Sequence, residues 1–187
     1  MTSYDLVLTL LGLMLAGSMI AKEQFPDHAA KLSPSTLALT SLLHDLGTAP
    51  TILTTTRMSF EFRGAIEALR YLQSLSSSPD QADAVCEAII RHQDLGTEGT
   101  ITFLGQVIQL ATIYDNVGEH PMVEGFGEML HEDTRGDVNK AFPREGWLGC
   151  FADTVREEMK VKPWCHTTHI PDFDKKIEAN ELMKPWE

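Results

Sequence analysis

The stretch SLLHDLGTAP, residues 41–50, sets a histidine and an aspartate side by side, His44 and Asp45, at the end of an apolar helical run. Ser33-Pro34 reads as an N-cap followed by proline at the first helical position, and Gly47 stops the run TLALTSLLHDL. Neighbours on a helix point about 100° apart, so the two side chains do not normally share a face. Near a frayed last turn they can converge on one ion. Taken alone, the pair fits equally well an aspartate that hydrogen-bonds a histidine at a helix end.

Helical signals continue outward in both directions. Ser59 is a candidate cap for FEFRGAIEALRYLQSL, where Phe62, Ile66, Leu69 and Leu72 or Gln73 follow helical spacing. Ser78-Pro79-Asp80-Gln81 is a clear start, with Gln81 placed for a capping box, and its helix ADAVCEAIIRH stops before the DLG at 94–96. Thr100 or Thr102 opens FLGQVIQLATIYDNV, which Gly118 closes. Further helices are expected over 134–142, 145–159 and near 173–182. Alternation of polar and apolar residues never persists, and no hairpin signal separates two β-branched runs. The expectation is an all-α helical bundle in a single domain over 1–187.

The chain has 187 residues, 43% hydrophobic and 22% charged, a composition suited to a packed globular core. Lys+Arg 15 against Asp+Glu 27 gives a net charge of −12, which argues against a broad nucleic-acid or anionic-membrane surface. Cys86, Cys150 and Cys165 show no CxxC spacing, so neither a disulfide framework nor a cysteine zinc site is indicated, and a reducing cytoplasmic setting is expected. Residues 6–21, LVLTLLGLMLAGSMIA, carry no charge. A spanning helix needs about 20 apolar residues, and the preceding MTSYD lacks the positive start of a secretory signal. The run therefore reads first as a buried core helix, with a signal or anchor as the alternative.

Two further groups accompany the His44-Asp45 pair. Asp115 in IQLATIYDNVG falls one turn beyond Ala111 on the side marked by Ile108 and Thr112, where a buried carboxylate needs a cation or hydrogen-bond donors. The open alternative is an outward or turn-capping aspartate. His92, in IIRHQDLG, again stands at a helix end after buried-looking isoleucines. Such groups on separate helices suit a metal site built inside a bundle, and His and Asp ligands fit zinc, iron or manganese.

His44-Asp45, followed about seventy residues later by Asp115, resembles the second to fourth metal-ligand positions of the HD-domain metal hydrolases. The stretches TRMSFEFRGA, EAIIRHQDLG, TFLGQVIQLATIYDNVG and KPWCHTTHIPDF are similar to those of the fungal cyanamide hydratases, HD-domain enzymes that hydrate cyanamide to urea. The similarity runs from about Ile20 to the C-terminus. The resemblance implies a zinc ion held by His44, Asp45, Asp115 and a histidine on an earlier helix, with His92 and Thr112 close to a small nitrile substrate. It implies attack of a zinc-held hydroxide on the nitrile carbon, with His92 supplying a proton or hydrogen bond to the developing nitrogen anion. It also suggests a homo-oligomer.

Many HD-domain relatives are phosphohydrolases, and many of those carry a lysine in HDxGK, a point charge for phosphate. This chain has Thr48 there, and its negative charge gives little long-range attraction for a nucleotide. Both observations favour a small neutral substrate. The family pattern also calls for a histidine upstream of His44. None is present: the first histidine is His28, past the expected end of the first helix, and residues 1–19 form a divergent apolar segment. An impaired paralogue is therefore the alternative to an active hydratase.

His166 and His169 lie three apart beside Cys165 in KPWCHTTHI. This is either a second metal site or a loop whose Trp164 packs over the core while the histidines make ordinary hydrogen bonds. Glu61 in SFEFRG is a candidate pocket acid, and Cys86 is expected to serve packing. His28, His120 and His131 lie in polar surroundings and are expected to be solvated.

Overall fold

The computed structural model describes residues 3–96 and 98–187. The chain is helical as expected. In order come α1 (Ser3–Gln24), α2 (Pro26–Ala29), α3 (Pro34–Leu43), α4 (Pro50–Leu53), α5 (Phe60–Ser74), α6 (Pro79–Ile90), α7 (Phe103–Asn116), α8 (Glu132–Ala141), α9 (Trp147–Val161) and α10 (Phe173–Glu178). Short 3-10 turns cover Leu46–Thr48 and His166–His169.

Local capping explains where several helices begin. Ser33 Oγ accepts from the Thr36 amide (3.3 Å), Ser78 Oγ from the Gln81 amide (3.3 Å) and Thr102 Oγ1 from the Gly105 amide (3.0 Å). Two expectations change. Gln81 does not complete a capping box; its Nε2 donates to Thr36 Oγ1 (3.1 Å), tying α6 to α3. Ser59 does not cap α5 with its side chain, and its Oγ instead accepts from the His166 amide (2.8 Å).

The uncharged N-terminal run lies in α1. Residues Val7–Gln24 are long and apolar enough to cross a membrane, yet α1 lies against α7 and α3 and buries Leu13, Ala16, Ile20 and Ala21. A Cβ on Gly17 would come within 3.3 Å of the Ala111 Cβ, so small residues let α1 and α7 approach closely.

At the centre lies α7, with 12 of its 14 residues buried. A helix enclosed all round has no solvent face. Asp115 is therefore buried because the whole helix is, not because it falls on one apolar stripe.

The buried face of α5 is also not the one its large residues suggest. It consists of Phe60, Glu61, Gly64, Ala65, Ala68 and Leu72, while Phe62, Ile66 and Leu69 are only half-buried. Small residues set this face because the chain carrying Gly47 presses against it. A Cβ on Gly47 would lie 1.9 Å from the Phe60 carbonyl oxygen, and one on Gly64 would lie 2.7 Å from the Gly47 nitrogen. Gly47 is thus required by close approach as well as by the helix stop.

Candidate metal centre

His44 is the C-cap of α3 (φ −60°, ψ −35°), and Asp45 leaves the helical region at φ −95°, ψ 12°. That unwinding turns adjacent side chains toward each other. His44 Nε2 stands 3.1 Å from Asp45 Oδ2. His92, just past the end of α6, brings its Nε2 to 3.7 Å from Asp45 Oδ1. The three residues are 1%, 6% and 2% exposed, and their potential ligand atoms all lie within 4.8 Å of one another.

Both imidazoles are held in one tautomer. His44 Nδ1 donates to the Ser41 carbonyl (2.8 Å) and His92 Nδ1 to the Ile89 carbonyl (2.6 Å). Carbonyls only accept, so each Nδ1 carries hydrogen, and in its neutral form each ring turns an Nε2 lone pair toward Asp45. Backbone anchoring of this kind is how metal-ligating histidines are usually oriented.

His44 Nε2, both oxygens of Asp45 and Asp115 Oδ2 are buried with no hydrogen-bond partner. Buried carboxylate oxygens facing a nitrogen lone pair are costly unless a cation lies between them. The residues therefore fit a divalent metal ion. Burial opposes charge on His44, but the Asp45 carboxylate and the Ser41 carbonyl outweigh it and raise its pKa above the ordinary histidine value. Burial likewise works against ionised Asp45, yet His44 and then His92 hold it below the usual carboxylate range. For His92, burial and the neighbouring His44 together lower the pKa, favouring the neutral ring.

Asp115 stands outside that group of three. Its Oδ1 accepts from Arg144 Nη1, and its backbone carbonyl accepts from Arg144 Nη2 (3.3 Å) and Asn180 Nδ2 (3.0 Å). Arg144 is 2% exposed and its Nε donates to Glu187 (3.1 Å). The Thr112 hydroxyl is turned to backbone, 2.9 Å from the His92 carbonyl and 3.0 Å from that of Ile108. It thus fastens the turn carrying His92 to α7. A cavity of about 10 Å³, room for about one water molecule, is bordered by His92, Gln93, Thr112 and Asn116.

The chain is 43% identical to Cyanamide hydratase DDI2 of Saccharomyces cerevisiae over 163 residues, which is 86% of this chain and 69% of the yeast protein. The same figures hold for Cyanamide hydratase DDI3 of that organism. The chain belongs to the cyanamide hydratase family. No protein-family model matches it.

The cyanamide hydratase relationship sharpens two features of this site. On the α1 side of Asp115, where the resemblance calls for another histidine, the small cavity is bordered by Thr9, Gly12, Leu13 and Ala16. None offers a ligand nitrogen. His28 lies elsewhere, on α2, with its ring 5.2 Å from that of Phe103. Sequence reasoning missed Arg144. The demand for a cation beside Asp115 was legible, but an arginine in the FPREGW connection carries no signal that it points inward.

The C-terminal stretch also departs from expectation. Trp164 does not pack over the core: it is 55% exposed, its Nε1 donates to the Arg57 carbonyl (2.9 Å), and the Arg57 guanidinium lies 5.0 Å from its ring centre. His131, although exposed, caps α8 by accepting from the Asp133 amide (3.2 Å).

Proposed function

We propose that the chain hydrates cyanamide to urea at a zinc centre formed by His44 and Asp45, with Asp115 at its edge and His92 facing the substrate. The observation that carries this reading is the set of buried, unpartnered polar atoms on His44, Asp45 and Asp115. When bound, a zinc ion supplies a Lewis acid that brings the pKa of water to about 7.

The protein side chains account for the proton. His92 Nδ1 is committed to the Ile89 carbonyl, so Nε2 acts as the acceptor. It takes a proton from the water that adds to the nitrile carbon and returns it to the nitrile nitrogen. The product is isourea, which tautomerises to urea. Water contributes the new C–O bond and both hydrogens, so no further reactant is needed. Thr112 positions His92 through its backbone.

The burial of His44, Asp45 and His92 favours a small neutral nitrile over a nucleotide, which needs an open, positively lined groove. Iron or manganese would suit the same donor set. The second reading, an impaired paralogue, rests on Arg144 already occupying one oxygen of Asp115 and on the absence of a histidine from the α1 side. Zinc analysis and urea formation decide between them. An active hydratase binds about one equivalent of zinc at the buried centre and makes urea, and His44→Ala loses both. Absence of turnover in zinc-loaded wild-type protein would establish the impaired form.

A further inference from the structure

We propose that Asp94, His166 and His169 form a second divalent-metal site, at the surface and separate in its ligands from the buried centre. The 3-10 turn His166–His169 places residues three apart on one side, because such a helix repeats every three residues. The two imidazoles accordingly stack, with ring centres 4.3 Å apart and planes 20° apart. Asp94, in the turn two residues beyond His92, brings Oδ1 to 3.6 Å from His166 Nε2. Ligand atoms from all three residues lie within 4.8 Å of one another. A tetrahedral ion with bonds of about 2.1 Å needs ligand atoms about 3.4 Å apart, so a small closing movement suffices.

The ring orientations show a site already arranged. His166 Nδ1 donates to Glu61 Oε1 (2.7 Å), and His169 Nδ1 donates to the His166 carbonyl (2.6 Å). Both Nε2 atoms are left as ligands. Glu61 is 0% exposed and its second oxygen is buried without a hydrogen-bond partner. A buried carboxylate on one nitrogen of a histidine is the arrangement that strengthens the other nitrogen as a metal ligand.

Two nitrogens and one carboxylate oxygen select a first-row transition ion such as zinc over calcium or magnesium. Asp94 Oδ2 faces Arg91 Nε at 3.7 Å, which leaves Oδ1 for the ion. Side-chain exposures of 32% at His166 and 26% at Asp94 admit water to complete the coordination. Cys165 takes no part; it is fully buried, and burial followed by Glu158 pushes its thiol up to about 11. An ion here would clamp the turn after His92 to the segment joining α9 and α10.

The test uses the full chain, stripped with a chelator and titrated with Zn2+ against a chromophoric competitor. Four proteins are compared: wild type, His44→Ala, His169→Ala and the double variant, with Asp45→Asn replacing His44→Ala if that variant fails to fold. His169 is exposed, so its replacement leaves the fold intact by circular dichroism. His169→Ala is expected to remove about one zinc equivalent, or weaken it more than about tenfold, in both backgrounds. Superimposable isotherms with and without His169 overturn the proposal. Loss on His44→Ala reads the buried centre separately, so the two assignments stand or fall independently.

Discussion

Arg144 and Asp115 form a buried ion pair in which the guanidinium also holds Glu187. Asp115 therefore has a cation of the protein's own on one oxygen, while Oδ2 remains without a partner. On the proposed reading, Arg144 and a bound metal ion draw on the same carboxylate. Replacing Arg144 by Met leaves that carboxylate unpaired, and the metal-free protein should lose about 3–5 kcal/mol. Zinc should restore part of this loss. Thermal unfolding with chelator and with zinc measures it; an equal zinc-induced rise in Tm for both proteins would remove the competition.

His92 is expected to act on protons rather than to hold the metal. His92→Ala should lower kcat for urea formation about 10²–10⁴-fold while zinc content stays that of wild type. Zinc loss parallel to the loss of activity would instead make His92 a ligand.

Gly47, two residues after Asp45, lies against the backbone of α5. A methyl at Gly47 would overlap the Phe60 carbonyl, whereas one at Gly149, within α9, meets nothing within 4 Å. Gly47→Ala should cost at least about 1–3 kcal/mol, and Gly149→Ala should stabilise by about 0.4–1 kcal/mol. Denaturant unfolding of both variants checks the contrast, and a wild-type midpoint for Gly47→Ala would refute it.

A buried Glu158–Lys162 pair ties α9 to the segment that begins α5. Their charges meet at 2.8 Å, Glu158 also accepts from the Phe60 amide (2.7 Å) and Thr167 Oγ1 (2.6 Å), and Lys162 donates to the Met58 carbonyl (2.8 Å). Glu158→Ala strands a buried ammonium and should destabilise by about 3–5 kcal/mol. A change under about 1 kcal/mol in denaturant unfolding would show that the lysine finds water instead.

Several features were legible residue by residue. The caps at Ser33, Ser78 and Thr102 are local chemistry, readable from a few adjacent residues. A helix end just before a glycine allowed His44 and Asp45 to converge, with a plain hydrogen-bonded pair as the alternative. The face of α5 was not legible, because Gly64, Ala65 and Ala68 are chosen by what presses on them. Large apolar residues drew the reading to Phe62, Ile66 and Leu69, although Glu61 was singled out as a candidate pocket acid.

By itself, the sequence determined the all-helical class, the positions of most helix starts and a set of His and Asp residues suited to a metal. These rest on short-range periodicity, capping and the chemistry of single side chains. Only the tertiary structure decided that Arg144 pairs with Asp115, that Glu61 backs His166, and that Asp94 comes beside the histidines some seventy residues away. Those relationships arise when distant segments are packed together, where burial sets the cost of every unpaired charge and no local pattern records which partner will meet it.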